Sequence, residues 1–140
     1  MQTLLNHLAS RLGQKPFVPD RQGHYHLHID NYNLFLRQQG TELVLSSPLN
    51  WRHNLKDPSS TESLKILLQQ VTRWGRYAPQ AIVLDESENL ILEARLAHDN
   101  LDVQILEQMI GIHIDLLEQV ITLLSETQPA PQWKQVIWQP

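Results

Sequence analysis

Apolar residues first recur at helical spacing near the N-terminus. Met1, Leu4, Leu5, Leu8 and Leu12 fall on one face, which predicts a helix over about Gln2–Leu12. Gly13 is placed to end it, because glycine accepts the left-handed conformation at a C-terminal cap. Pro16 and Pro19 disfavour helix up to the next element. From His24 to Asp30 the pattern changes to strict alternation: Tyr25, Leu27 and Ile29 point one way, and His24, His26 and His28 the other. Leu34 and Leu36 continue it in a second strand, and Leu43 and Leu45 in a third, after a turn at Gln39–Gly40. The short spacing predicts an antiparallel meander. Pro48 to Ser60 is polar with two prolines and reads as a loop.

A second helix follows. Ser59 and Glu62 have the spacing of a capping box, and Leu64, Leu67, Leu68, Val71, Trp74 and Ala78 form one apolar stripe, with Gly75 inside it and Pro79 as the stop. Ala81–Leu84 and Leu90–Leu96 predict a hairpin around Glu86–Asn89. Asp99 or Asn100 is placed to cap a third helix running to about Leu124. There, polar residues occupy one narrow sector and the rest forms two apolar stripes. One is Val103, Leu106, Ile110, Ile114, Leu117, Ile121 and Leu124; the other is Leu101, Ile105, Met109, Ile112, Leu116, Val120 and Leu123. A surface helix needs one stripe, so two predict packing on two sides, against the sheet and against another helix or partner. The predicted architecture is α+β, in the order α-β-β-β-α-β-β-α, with an antiparallel sheet and helices packed on it. A domain over residues 1–124 is expected to precede a tail over 125–140. Three prolines predict that the tail is extended or mobile, and its Trp133 and Trp138 need a surface to dock on.

Composition narrows the function. At 140 residues one domain is expected. With no cysteine, thiolate zinc sites, disulfides and cysteine nucleophiles are excluded. The N-terminus lacks a basic run followed by an apolar stretch, so no secretory signal is expected, and no segment approaches the roughly 20 apolar residues of a membrane span. A net charge of -4, with lysines and arginines scattered, argues against nucleic-acid binding.

The most pointed candidate chemistry is His24, His26 and His28. Alternate strand positions share a face, so two imidazoles could ligate one metal, with His53 or His98 as a third ligand. A small metal-binding enzyme is the alternative that follows; the plain reading is a solvated sheet face. His7 and His113 read as helix-surface or boundary residues. Asp85, Glu86 and Glu88 sit in a turn, where solvation predicts a charged loop rather than an acid–base pair. Nucleophile-elbow, zincin and phosphate-loop motifs are absent, so no catalytic residue and no cofactor is assigned.

Several stretches carry a resemblance: LLNHLASRLGQKPFV from Leu4 to Val18, GTELVLSSPL ending at Leu49, PQAIVLDESENLILEARL from Pro79 to Leu96, and the helix after it. With the element order, they resemble the class I chaperones of bacterial type III secretion, and most closely the YscB-type subunits. The resemblance covers about Met1–Leu124 and leaves the histidine triplet and the tail unexplained. It implies a dimer built on an α+β domain, with a second small, SycN-like chaperone subunit as the mate. The cargo implied is the N-terminal segment of a secreted, YopN-like gatekeeper, held in extended form in the bacterial cytoplasm or at the inner-membrane face of the secretion apparatus. No ATP and no cofactor is implied.

The second helix is expected to form the subunit interface, through Leu64, Leu67, Leu68, Val71, Trp74 and Gly75. Its stripe is broad and ends in an aromatic anchor, glycine admits a close backbone, and the chaperones it resembles dimerise around this helix. Cargo is assigned to Leu4, Leu5, Leu8, Leu12, Phe17 and Val18. The first helix is short, and its leucines make a groove edge beside Phe17 and Val18. The same stripe is also what any core helix shows.

Overall fold

The computed structural model describes residues 2–52, 58–75 and 78–127. His53 and the tail tryptophans Trp133 and Trp138 lie outside them, as does the Ser59 side chain that was expected to cap the second helix.

The elements are α1 (Gln2–Arg11), β1 (Tyr25–Ile29), β2 (Tyr32–Gln39), β3 (Glu42–Arg52), α2 (Pro58–Trp74), β4 (Ala81–Leu84), β5 (Asn89–Ala97), a single 3-10 turn at His98–Asn100 and α3 (Val103–Thr127). This is the expected order. The strands form one antiparallel sheet in the order β1-β2-β3-β5-β4. Local chemistry explains the joints. At the end of α1, Gly13 takes φ +69°. Its amide donates to the Ser10 carbonyl and that of Gln14 to Ala9, which closes the helix with a Schellman motif. Asp30 and Asn31 both have positive φ between the paired residues Ile29 and Tyr32, the conformation of a tight type I′ hairpin. In the β4–β5 turn, Asp85 Oδ1 accepts from the amides of Ser87 and Asn89, so this carboxylate shapes the turn. The cap of α3 is Asp102, whose Oδ1 accepts from the Ile105 amide at 2.8 Å, rather than Asp99 or Asn100.

Two expectations are corrected. The segment from Pro48 to Arg52 is not loop but the second half of β3, with Pro48 opposite Ile91. The β2–β3 ladder ends at Phe35 and Ser46, so here β3 is flanked on one side only, where a missing N–H is tolerated. Alternation carries Leu49 and Trp51 to the same inward face as Leu43 and Leu45, and the register shift between Pro48 and Arg52, with Asn50 at φ +55°, leaves that parity unchanged. His113, read as a surface or boundary residue, is fully buried.

All three helices lie on one face of the sheet. One apolar cluster joins α1 and the first half of α3 to Leu27, Leu34, Leu36 and Leu45; a second joins α2 and the last half of α3 to Leu49, Trp51, Leu90 and Leu92. The two stripes of α3 are therefore the borders of one wide buried face, which α1, α2 and the sheet fill between them. Ile105 and Ile121 mark its two exposed edges. On the opposite face of the sheet, Val44 stands between Arg37 and Arg95 in register and is fully buried. Ion pairs of Arg37 with Glu93 and of Arg95 with Glu93 and Glu42 run across it, so the aliphatic stems cover an outward valine.

Candidate functional surfaces

The outward side of α2 is open and apolar. Leu67 is fully buried and Trp74 nearly so, both in the second cluster, while Leu64 and Val71 are half-buried and Leu68 is 46% exposed. The single stripe therefore divides. Its inner edge anchors α2 to α3 and the sheet, and its outer edge faces away. Leu64 and Leu68, with Thr61, Lys65, Gln69 and Thr72, line a groove of about 440 Å³ along that edge. Of the six expected interface residues, Leu67 and Trp74 are closed to a partner and Leu64, Leu68 and Val71 are not. Gly75 lies just past the helix, exposed; within 4 Å of a Cβ placed there lie only the carbonyls of Thr72 and Val71 in its own helix. Among the described residues no close approach by another element explains it.

The expected cargo residues divide in the same way. Leu5 and Leu8 are fully buried and Phe17 is 9% exposed, all in the first cluster. Leu5 and Leu8 therefore lie inside the fold and form no open groove edge. Leu4 and Leu12 pack on the rim of that cluster, and Val18, at 78% exposure, is fully open. The helix has too few turns to leave leucines idle: Leu5 and Leu8 are what hold it to α3.

The histidine strand has a plain structural account. His26 stacks on Phe35, with ring centroids 4.7 Å apart. His26 Nε2 lies 2.9 Å and His28 Nδ1 3.2 Å from the same atom, Asn33 Oδ1, across the β1–β2 pair. The His24 amide donates to Asp20 Oδ1, which closes the turn before β1. Among the described residues no group of three or more His, Cys, Asp or Glu is arranged to hold a metal ion. The arrangement does not favour the metalloenzyme alternative. Changing His24, His26 and His28 together to Asn is expected to cost no more than about 1 kcal/mol, mostly from the lost stacking. Urea unfolding checks this, and a larger loss would mean that the strand holds something more than solvent.

Sequence reasoning missed two features that matter to these surfaces. One is the division of the α2 stripe. The other is His113, whose position between the two α3 stripes was the available signal. No helix among the described residues is long and apolar enough to cross a membrane.

Residues 3–120 match the model of the Tir chaperone protein (CesT) family. The chain is 41% identical over 127 residues to the chaperone proteins YscB of Yersinia enterocolitica and Yersinia pestis, an overlap of 89% of this chain and 92% of each relative. Among solved structures, the fold is shared with a HopA1–SchA chaperone–effector complex, at a TM-score of 0.69 and 21% identity over 86% of this chain and 91% of that one. It is shared likewise with an ExsC–ExsE complex, at a TM-score of 0.68 and 19% identity over 88% and 92%.

Proposed function

Because the chain belongs to the Tir chaperone protein (CesT) family, we propose that it is a type III secretion chaperone subunit that acts by binding alone. Its cargo is the N-terminal segment of a secreted gatekeeper or effector, held extended and kept soluble. The observation that carries this reading is the family match, which spans nearly the whole folded domain. The described surface is consistent with it, offering an open apolar groove and no assembled set of reactive groups.

The 41% identity to YscB supports a heterodimer with a SycN-like subunit and a YopN-like gatekeeper as cargo. The groove on α2 at Leu64 and Leu68 receives the second subunit. Leu4, Leu12 and Val18 contribute to the cargo surface, with Leu5, Leu8 and Phe17 supporting them from beneath. An extended cargo segment suits such a surface, since alternate side chains can enter apolar patches while the backbone stays paired. The work is done in the bacterial cytoplasm, at times beside the inner membrane where the secretion apparatus stands. Co-expression of the chain with a SycN-like subunit and a YopN-like gatekeeper tests this. The expected result is a soluble complex in which the N-terminal segment of the gatekeeper alone is protected from protease. A gatekeeper that stays equally soluble without this chain, and never co-purifies with it, overturns the reading.

A further inference from the structure

His113 is the one imidazole among the described residues that lies fully inside the fold. Its Nε2 is 2.9 Å from Ser47 Oγ on β3, and Ser47 is fully buried too. Its Nδ1 is buried with no hydrogen-bond partner among the described residues. The pair stands where the two apolar clusters meet. Leu106, Ile110 and Ile114 of α3 belong to the first cluster and Leu116, Leu117 and Val120 to the second, so the boundary lies within one turn of His113. The hydrogen bond is thus a polar tie between helix and sheet at the seam of the core.

Among the described residues no counter-charge serves this ring. The charged side chains described on the packed elements are Arg11 on α1, Glu62, Lys65 and Arg73 on α2, Arg37 on β2, Glu42 on β3, and Glu93 and Arg95 on β5. They lie at the surface or on the outer face of the sheet. On α3 itself, Glu107, Asp115 and Glu118 point away from His113 by more than 90° of helical turn. His7 on α1 and His26 and His28 on β1 are exposed. The titratable groups that do face the core are Tyr25 and Tyr32. Tyr25 gives its hydroxyl proton to Gln2 Oε1, and loss of water followed by the Glu118 carboxylate pushes the Tyr32 phenol up. Neither offers a negative charge at or below neutral pH. A protonated His113 would therefore carry a buried charge and a second N–H with no acceptor.

We propose that the His113–Ser47 pair is an acid-sensitive latch: the neutral ring ties α3 to β3, and in mild acid, where the unfolded chain takes up a proton that the folded chain excludes, the fold loses stability. Burial pushes the imidazole down from 6.5 to about 4. Between these values the unfolded chain binds a proton that the folded chain does not. Stability is therefore full above the ordinary imidazole value and falls as pH drops, by tenfold in the folding constant per pH unit, levelling off near the folded value. From pH 8 to pH 5.5 the contribution of this one group is about a tenfold loss.

The test is urea unfolding of the full chain between pH 8 and pH 4.5, for the native protein and for His113→Gln, whose amide stays neutral throughout. The expected result is that the folding constant of His113→Gln falls about ten times less between pH 8 and pH 5.5 than that of the native protein. Equal slopes for the two proteins overturn the proposal. Should His113→Gln fail to fold at pH 8, proton NMR of the histidine rings in the native chain decides instead. A His113 ring still neutral at pH 5.5 in the folded protein supports the latch. A ring that charges near pH 6.5 with the fold intact overturns it. Ser47→Ala, which keeps the imidazole buried, is expected to be less stable at every pH yet to keep the acid slope.

Discussion

Leu5→Glu is expected to leave no folded protein at 25 °C, and Trp74→Glu is expected to do the same. Leu5 has no exposed surface and Trp74 only 2%. An unpaired carboxylate placed in either site costs several kcal/mol, on top of roughly 2–5 kcal/mol for the apolar packing that is lost. Together these match the ~5–15 kcal/mol that holds a whole domain. The two sites test different cores: Leu5 binds α1 to the first half of α3, and Trp74 binds α2 to the second half. Val18→Glu is the control, because at 78% exposure it should change stability by no more than about 0.5 kcal/mol while weakening cargo capture. Circular dichroism and gel filtration of the three variants decide. A Leu5→Glu protein that melts with native cooperativity would contradict the burial of α1 and restore Leu5 to the surface.

The element order was legible in the sequence because each element carries its own period. Alternation at Tyr25, Leu27 and Ile29 and the leucines of α1 state their inward faces directly. The family resemblance was legible too, from phrases such as those around Leu4–Val18 and Pro79–Leu96. The pairing of adjacent strands was legible as well; what failed were inferences about which side chains the chain itself would cover. Pro48 punctuates a sequence whatever its surroundings, and that β3 loses its β2 neighbour after Ser46 is a fact of pairing. Val44 lies on the outward face, and its burial comes from Arg37 and Arg95 on adjacent strands. On α3, setting His113 apart split one broad face into two stripes; of the two covers expected for them, another helix or a partner, α1 and α2 supply the first. The candidate surfaces suffered most. A run of apolar residues marks a face that is worth covering, but the covering can come from within the chain. For Leu5, Leu8, Leu67 and Trp74 it does.

Leu68→Glu is therefore the variant expected to separate pairing from folding. Leu68 is 46% exposed on the outer edge of α2, one helical step from fully buried Leu67, so a charge there stays in water in the free subunit. Its neighbours in the groove are Thr61, Lys65, Gln69 and Thr72, which also tolerate a carboxylate, and Lys65 offers it a counter-charge. Stability should move by no more than about 0.5 kcal/mol. Pairing is a different matter. If the SycN-like subunit covers this groove, Leu68 loses its remaining exposure on assembly, and the leucine gains roughly 1 kcal/mol from that burial. The glutamate forfeits this gain and must also shed water against an apolar surface, for a further ~1–3 kcal/mol. A total near 2 kcal/mol or above corresponds to at least about thirtyfold weaker binding. Titration calorimetry with the purified mate reads the affinity, and light scattering shows whether the 1:1 complex persists. Lys65→Ala, in the same groove but polar, should change affinity far less. Native-strength pairing by Leu68→Glu would move the interface off α2; among the described residues, the exposed large apolar side chains outside the cargo surface that could carry it are Leu84, Ile105 and Ile121.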